Sequence, residues 1–399
     1  MLRGLISTGL LFTVLLVSCG HNGHPGQSSH PGLAVRPGAE QMDRYLPLLA
    51  GKSFALVANH SSLVGSVHLV DTLLHSGIGR DQLMRVFAPE HGFRGDQAAG
   101  VVIEGGTDPQ TGIPVVSLYG DHRKPSPVEL ADVDLVLFDL QDVGARFYTY
   151  ISTLTYVMEA CAEQGVPLVL LDRPNPNGAY VDGPVLDTAF RSFVGMHPIP
   201  VVYGLTLGEL AGMINGEGWL GGGIRCDLTV IPCGAYTHGW SGALPVPPSP
   251  NLANDHAILL YPSTCFFEGT VLSEGRGTSM PFEIYGHPEL PGTFSFTPES
   301  IPGVARNPKF EGRTCYGTDL RNFTPDGAWT GFTLRWVLEA YAGFPSKEEF
   351  FTPYFDTLAG TDRLRLQIES GWNEQEIRES WQGELEQYRQ LRKNYLIYE

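Results

Sequence analysis

Basic side chains are scarce in this sequence. Its 399 residues carry 26 Lys and Arg against 43 Asp and Glu, a net charge of −17. A nucleic-acid partner needs clustered cations to neutralise phosphates, so the balance argues against that class. It equally disfavours docking on an anionic bilayer surface. Cysteine is sparse too, with Cys19, Cys161, Cys226, Cys233, Cys265 and Cys315 alone. None stands in a CxxC or Cys/His cluster of zinc spacing, so no structural metal is expected. Cys226 and Cys233 flank a short strand and can pair in an oxidising compartment; buried free thiols are the alternative. No Walker A, GxSxG or HExxH pattern occurs, and the glycine-rich stretch around "GEGWLG", Gly216 to Gly221, has GxGxxG spacing but lacks the preceding strand that phosphate binding needs. The chemistries that rest on those loops and helices therefore have no footing.

The N-terminus reads as a targeting segment. "MLR" supplies one positive charge and "GLISTGLLFTVLLV" an apolar run of signal-peptide length, short for a membrane span. "LVSC", Leu16 to Cys19, resembles a bacterial lipoprotein box. On that reading residues 1–18 are removed, and Cys19 becomes a lipidated first residue. The chain is then expected at the bacterial cell envelope, on the periplasmic side or at the outer membrane. Ordinary signal cleavage with Cys19 incidental is the alternative. Residues 19–41 are rich in Gly, Pro, Ser and His and read as a flexible tether.

From Met42 the pattern changes to apolar runs alternating with helical spacing. "SFALVAN", "LMRVFAPEHG", "VDLVLFDLQDVG" and "VPLVLLDRPNPNG" read as strands. "HLVDTLLHSG" and "TYISTLTYVMEACAEQG" read as helices, the second ending at Gly165. "GLTLGELAGMINGEGWL" is a further helix with Thr206 as its N-cap, and "CDLTVIPC" a strand. The alternation predicts an α/β domain over 42–253, a mostly parallel sheet with helices on both faces. "PVPPSP", four prolines in six residues, ends it. Residues 254–399 form a smaller C-terminal domain, closed by the amphipathic stretch "EIRESWQGELEQYRQLRKNYLIY".

Ligands of a doubly wound sheet bind beyond the carboxyl ends of its strands. Here those ends carry Asn59 and His60, Glu90 and His91, Asp139 and Asp142, and Asp172 with Arg173. Each alone can be a turn or a cap; together they predict a polar cleft. The most informative stretch is "FAPEHGFRGDQAAG". Glu90 follows a strand and a proline, so it is rigidly placed, and His91 and Arg94 can orient it or bind substrate. "FDLQDVGARFYTY" adds Arg146 and aromatics that either stack on a sugar or open a helix. "FEGTVLSEGRGT" adds Glu268, Glu274 and Arg276 among small residues, on a loop that can close over the cleft from the second domain. Abundant carboxylates without a metal motif suit glycoside hydrolysis, which commonly uses two carboxyl groups.

Four stretches together resemble the NamZ-type exo-β-N-acetylmuramidases, a glycoside hydrolase family formerly known as a domain of unknown function. They are "APEHGFRGDQAAG", "DLQDVGARFYTYISTL", "LDRPNPNG" with "DGPVL", and "PPSPNLAN" leading to "YPSTCFFEGTVLSEGRGTSMPF". The resemblance spans roughly 42–399, and one departure is Val271, where the family pattern carries Asn. It implies a Rossmann-like first domain, a smaller α+β second domain and an active site between them. It implies an enzyme that releases N-acetylmuramic acid from non-reducing ends of peptidoglycan fragments in cell-wall turnover and recycling, without a cofactor. Glu90 is then the general acid. Its partner is either the substrate's acetamido group, oriented by Asp139 or Asp142, or Glu268 or Glu274 as base or nucleophile. Asn59, His60, His91, Arg94, Arg146, Asp172 and Arg276 are the expected substrate-binding residues. Arg94 and Arg276 are candidates to meet the lactyl carboxylate that distinguishes this sugar. The expected partners are peptidoglycan-derived saccharides and, through Cys19, a membrane; no nucleic acid or protein partner is read. The alternative is a lipid-anchored sugar-binding protein without catalysis.

Overall fold

The apolar runs assemble into one sheet. In the computed structural model, which describes residue 1 and residues 34–90, 92–94, 106–324 and 331–399, its seven strands are β1 Phe54–Ala58, β2 Leu83–Ala88, β3 Gly106–Thr107, β4 Pro114–Ser117, β5 Leu135–Asp139, β6 Leu168–Leu171 and β7 Leu228–Ile231. Their order is β7-β6-β5-β1-β2-β4-β3, parallel throughout except for the edge pair β3–β4. Leu56 of β1 lies opposite Leu137 on one side and Val86 on the other. The chain runs outward from β1 through β2 to β4, then returns to β5 and runs the opposite way. The order reverses between β1 and β5, so the crevice for a ligand opens beyond these two strand ends.

Every residue of β1 and β5 is buried. Period-two alternation divides them between two cores. Ala55, Val57, Val136 and Phe138 belong to one cluster, and Phe54, Leu56, Ala58 and Leu137 to the other. Helix α1, Leu69–His75, packs Leu69, Val70 and Leu73 into the second cluster. Helices α2, Tyr150–Gln164, and α3, Leu207–Gly216, cover the first. Both faces are thus closed, as continuous apolar strands require. The expected caps are present. Gly165 ends α2 at φ +67°, and Thr206 forms a reciprocal capping box with Glu209 at α3.

After the proline-rich segment comes α4, Asp255–Thr264, and an antiparallel sheet of β8 Ile284–His287, β9 Phe294–Phe296 and β10 Cys315–Asp319 in the order β8-β10-β9. Short helices follow, among them α5, Pro353–Ala359, and α6, Gln382–Arg392. The C-terminal end returns to the parallel sheet. Tyr388 donates its hydroxyl to Tyr203 O at 2.7 Å, and Arg392 Nε donates to Gly204 O at 2.9 Å. One cluster of buried residues runs from Ala55 to Tyr388, and residues 35–399 form one compact unit. The single closing helix expected from sequence is two, Glu374–Ser380 and α6, interrupted at Trp381 with φ −108° and ψ 0°. The indole is buried against Phe332, and Gly383 just beyond weakens helix propensity where the chain turns.

The five described cysteines are buried free thiols. Cys226 lies in hydrogen-bonding contact with Cys161, while Cys233 Sγ donates to Asp172 O at 3.2 Å, so the two cysteines that flank β7 face different neighbours. Among the described residues no helix is long and apolar enough to cross a membrane.

Candidate active site

The strand ends build a buried scaffold, and few of their side chains reach open space. Asp139, at the end of β5, accepts from Arg173 Nε at 2.6 Å and from its Nη2 at 2.8 Å, with both side chains almost fully buried. Asp142 Oδ1 accepts from Gly144 N at 2.7 Å and from the Tyr203 hydroxyl at 2.6 Å. Burial pushes the Asp142 carboxyl up to about 6. Asp172 accepts from the Thr206 and Tyr398 hydroxyls, both at 2.6 Å, and from Gly208 N at 2.9 Å, which fastens the end of β6 to α3 and to the C-terminus. Burial likewise raises it to about 6. Asn59 donates to the Tyr150 hydroxyl at 2.6 Å and accepts from Ser61. These polar ends cross-link the elements beneath the crevice.

Arg146 was expected at the substrate, but its guanidinium lies inside the protein, 1 % exposed. It donates to the carbonyls of Pro184, Ile199, Leu358 and Ala359 at 2.7–2.9 Å. Its partners are backbone carbonyls from three separate segments, of which Ile199 O also accepts from Leu186 N at 3.1 Å, and holding those segments together is a structural task. Arg94 is held by Asp108 and Asp71, with contacts from 2.8 to 3.3 Å, and does not line the cleft. His60 Nε2 lies 2.8 Å from Pro247 O, and burial lowers its pKa. His91 and Cys19 lie outside the described residues.

The cleft itself has a volume of about 370 Å³. Glu90, Tyr119, Arg123, Phe147 to Tyr150 and Phe193 line it from the parallel-sheet side, and Tyr261, Glu268, Arg276, Phe282 and Tyr354 from the C-terminal part. Glu90 follows β2 and Pro89, in a turn closed by Gly92 N on Pro89 O at 3.2 Å. Its Oε2 accepts from the Thr149 hydroxyl at 3.0 Å, and the Tyr119 hydroxyl is a second hydrogen-bonding neighbour. Burial, then the Glu90 charge, raises the Tyr119 pKa, so this hydroxyl stays protonated and donates. Glu90 shares this space with Glu268 and Arg276, a pair 8 positions apart on one distant loop; Asp139, Asp142, Asn59, Asp172 and Arg146 do not line it.

Glu268 stands on a 3₁₀ turn, Cys265–Gly269, that follows α4. Gly269 is required there, because a Cβ would come within 2.5 Å of the Phe355 backbone. Arg276 donates to Glu268 Oε1 through Nε at 3.0 Å and Nη2 at 2.6 Å, and its Nε is 3.4 Å from Glu274 Oε1. Burial would lower the Arg276 pKa, but the two carboxylates outweigh it and raise it. Glu274 is 3 % exposed and sits behind this pair. Lys309 Nζ is 3.2 Å from Glu274 Oε2 and within 2.9–3.2 Å of the carbonyls of Phe267, Glu268, Thr270 and Leu272. One ammonium therefore fixes the whole loop that presents Glu268. Aromatic rings pack edge to face behind it, Tyr261 against Phe147 at 5.4 Å and Phe282 at 4.9 Å. Such faces suit the apolar side of a sugar ring.

Sequence reasoning missed Tyr119, Arg123, Lys309 and Tyr354. The first two had a signal: "IPVVSLYGD" is a further apolar run ending in a polar turn, and it forms β4. Lys309 and Tyr354 had none, since each acts on residues tens of positions away. Among the described residues no group of three or more His, Cys, Asp and Glu gathers as metal ligands would.

Comparison with known proteins places this cleft in context. Residues 54–256 match the family model described as exo-beta-N-acetylmuramidase NamZ, N-terminal, and residues 259–398 match its C-terminal counterpart. The chain is 38 % identical over 374 residues to peptidoglycan beta-N-acetylmuramidase NamZ of Bacillus subtilis (strain 168), covering 89 % of each chain. Two crystal structures of DUF1343 family proteins from Bacteroides fragilis NCTC 9343 share the fold. One is 46 % identical with a TM-score of 0.85, the other 28 % identical with a TM-score of 0.76. Each alignment covers 92 % of this chain and 99 % of the other.

Proposed function

The chain belongs to the exo-β-N-acetylmuramidase NamZ family, and from that premise we propose that it releases N-acetylmuramic acid from the non-reducing ends of peptidoglycan fragments, with Glu90 as general acid. The observation that carries this reading is the meeting of Glu90 and Glu268 in one aromatic cleft, between residues that 178 sequence positions separate. At about 370 Å³ the cleft lies near the small end of ligand pockets, which suits a terminal sugar better than a long glycan.

Thr149 and Tyr119 hold Glu90 in place to deliver a proton to the departing glycosidic oxygen. As that bond breaks, positive charge develops at the anomeric carbon. Glu268, oriented by Arg276, faces the same space and supplies the second carboxylate, as stabiliser, base or nucleophile. Asp139 and Asp142 are buried in pairs of their own, so the partner role falls to Glu268 or to the substrate's acetamido group. Glu274 supports Glu268 through the shared arginine. Family membership favours catalysis over the alternative of a sugar-binding protein.

The test is incubation of the purified chain with a disaccharide bearing non-reducing N-acetylmuramic acid. Release of the free sugar, sharply slowed in Glu90→Gln, is expected. An intact disaccharide would overturn the assignment. Proton NMR of the first-released anomer reports inversion or retention.

The envelope location and the lipid at Cys19 belong to the same proposal, supported by the "LVSC" box behind the apolar N-terminal run. Cys19→Ala is expected to leave the membrane fraction at unchanged specific activity. Continued membrane association would count against the anchor.

A further inference from the structure

Among the described residues, four charged side chains line the cleft: Glu90, Glu268, Arg276 and Arg123. Arg276 and Glu268 offset each other at 2.6 Å, and Glu274 draws on the same guanidinium. That cation is therefore shared between two carboxylates before any substrate arrives. Arg94 is likewise occupied by Asp71 and Asp108. Neither has a charge to spare for an anionic sugar.

Arg123 is different. Its Nε donates to Gly120 O at 2.7 Å, and its guanidinium lies 4.4 Å from the Phe193 ring centroid. These are its contacts among the described residues, and neither is with a carboxylate. The side chain is exposed at the cleft wall. Its loop is anchored on either side. Lys124 is clamped to Glu163 at 2.7 Å and Glu159 at 3.4 Å on α2, and His122 lies 3.1 Å from Glu129. Tyr119, at the start of the loop, hydrogen-bonds toward Glu90 and lines the same cleft as Arg123, so the loop carries Arg123 along the wall that holds the proposed acid. An arginine stacked on an aromatic ring and tethered through Nε keeps its two terminal nitrogens as a planar fork, the geometry that meets a carboxylate with two hydrogen bonds. A chain of net charge −17 repels anions in general, so an anionic substrate needs such a local cation.

We propose that Arg123 is the specificity-determining residue of the site, binding the carboxylate of the 3-O-lactyl group that separates N-acetylmuramic acid from N-acetylglucosamine. The assignment rests on the muramidase reading of the cleft. It gives the enzyme its discrimination at the substrate's one charged substituent, across the cleft from the Arg276–Glu268 pair.

The experiment compares wild type, Arg123→Met and Arg123→Lys as full-length chains on 4-nitrophenyl N-acetyl-β-muraminide and on the matching glucosaminide. Met keeps the length and the packing on Phe193 while removing the charge. For Arg123→Met, kcat/KM on the muraminide is expected to fall about 10–100-fold, mostly in KM, as loss of a charged hydrogen bond predicts. The glucosaminide rate is expected to stay within about twofold, a bound far below the loss of one charged hydrogen bond. Arg123→Lys should recover part of the loss, since a point charge replaces the fork. Equal losses on both substrates, or an unchanged muraminide rate, would overturn the assignment. Calorimetric titration of free N-acetylmuramic acid against N-acetylglucosamine separates this result from failure of the muramidase reading. Binding of the acid that is lost in Arg123→Met supports Arg123 even if wild type cleaves neither nitrophenyl sugar. Binding retained in that variant refutes it.

Discussion

The hydroxyl of Thr149 donates to Glu90 Oε2 at 3.0 Å, joining the turn after β2 to the residue just before α2. The contact links the two halves of the crevice that the strand order creates, and it holds the proposed acid without a second charge. Replacing Glu90 with Gln keeps the size and the hydrogen bond but removes the proton. Activity on the natural disaccharide should fall about 10²–10⁴-fold, the range for a lost acid–base catalyst. A 4-nitrophenolate leaving group needs little protonation, so the loss on the nitrophenyl sugar should be clearly smaller. Steady-state rates on the two substrates check this, with the thermal midpoint unchanged.

Arg276 binds Glu268 rather than standing free, so its removal should not depend on the lactyl group. Arg276→Met is expected to lower kcat/KM about 10–150-fold on muraminide and glucosaminide alike, the equivalent of one charged hydrogen bond. A loss confined to the muraminide would instead make Arg276 the reader of the carboxylate. The same pair of nitrophenyl substrates decides it.

Arg146 should behave as a structural residue. Arg146→Met takes the guanidinium donor from the carbonyls of Pro184, Leu358 and Ala359, and one of two donors from Ile199 O, in a site that is 1 % exposed. Loss of stability of about 3 kcal/mol or more is expected, because buried acceptors bear the full cost of desolvation. The urea midpoint should drop while kcat per folded molecule changes little.

Asp142 predicts a pH dependence. Its carboxyl is raised by burial from the usual 3.8 to about 6. Between those values the folded state holds the proton more tightly than the unfolded chain. Stability from this group is therefore lost as pH rises from about 4 through about 6, and regained on acidification. In Asp142→Asn the titration is gone. The variant's stability relative to wild type should be highest near pH 7 and decline toward pH 5, by no more than about 1.4 kcal/mol per pH unit. Denaturant midpoints of both proteins across that range measure the slope.

The sequence by itself determined the centre of the sheet, though not the two short strands β3 and β4 at one edge. Short β-branched and leucine-rich runs bounded by turn residues can be buried only on both faces, so "FALVA" and "LVLFD" had to be central strands. Local chemistry also set Gly165 and Thr206 at helix ends, and it pointed to Glu90, because a strand, a proline and an acid in succession leave that side chain little freedom. The family was legible in the same motifs.

What tertiary structure decided was which polar strand ends face a substrate and which face one another. Asp139 and Arg173 sit 34 positions apart, and Arg146 and Ala359 are 213 apart. Their neighbourhoods mark them as polar strand ends just as Glu90's does, and only Glu90 remained in the cleft. A buried polar group must find a partner within about 3 Å, and the fold alone determines which groups come that close. The same holds for Lys309, which pins the Glu268 loop from 41 positions away, and for Arg123, which among the described residues has no carboxylate partner, a fact visible only once Arg276 and Glu268 are seen to pair.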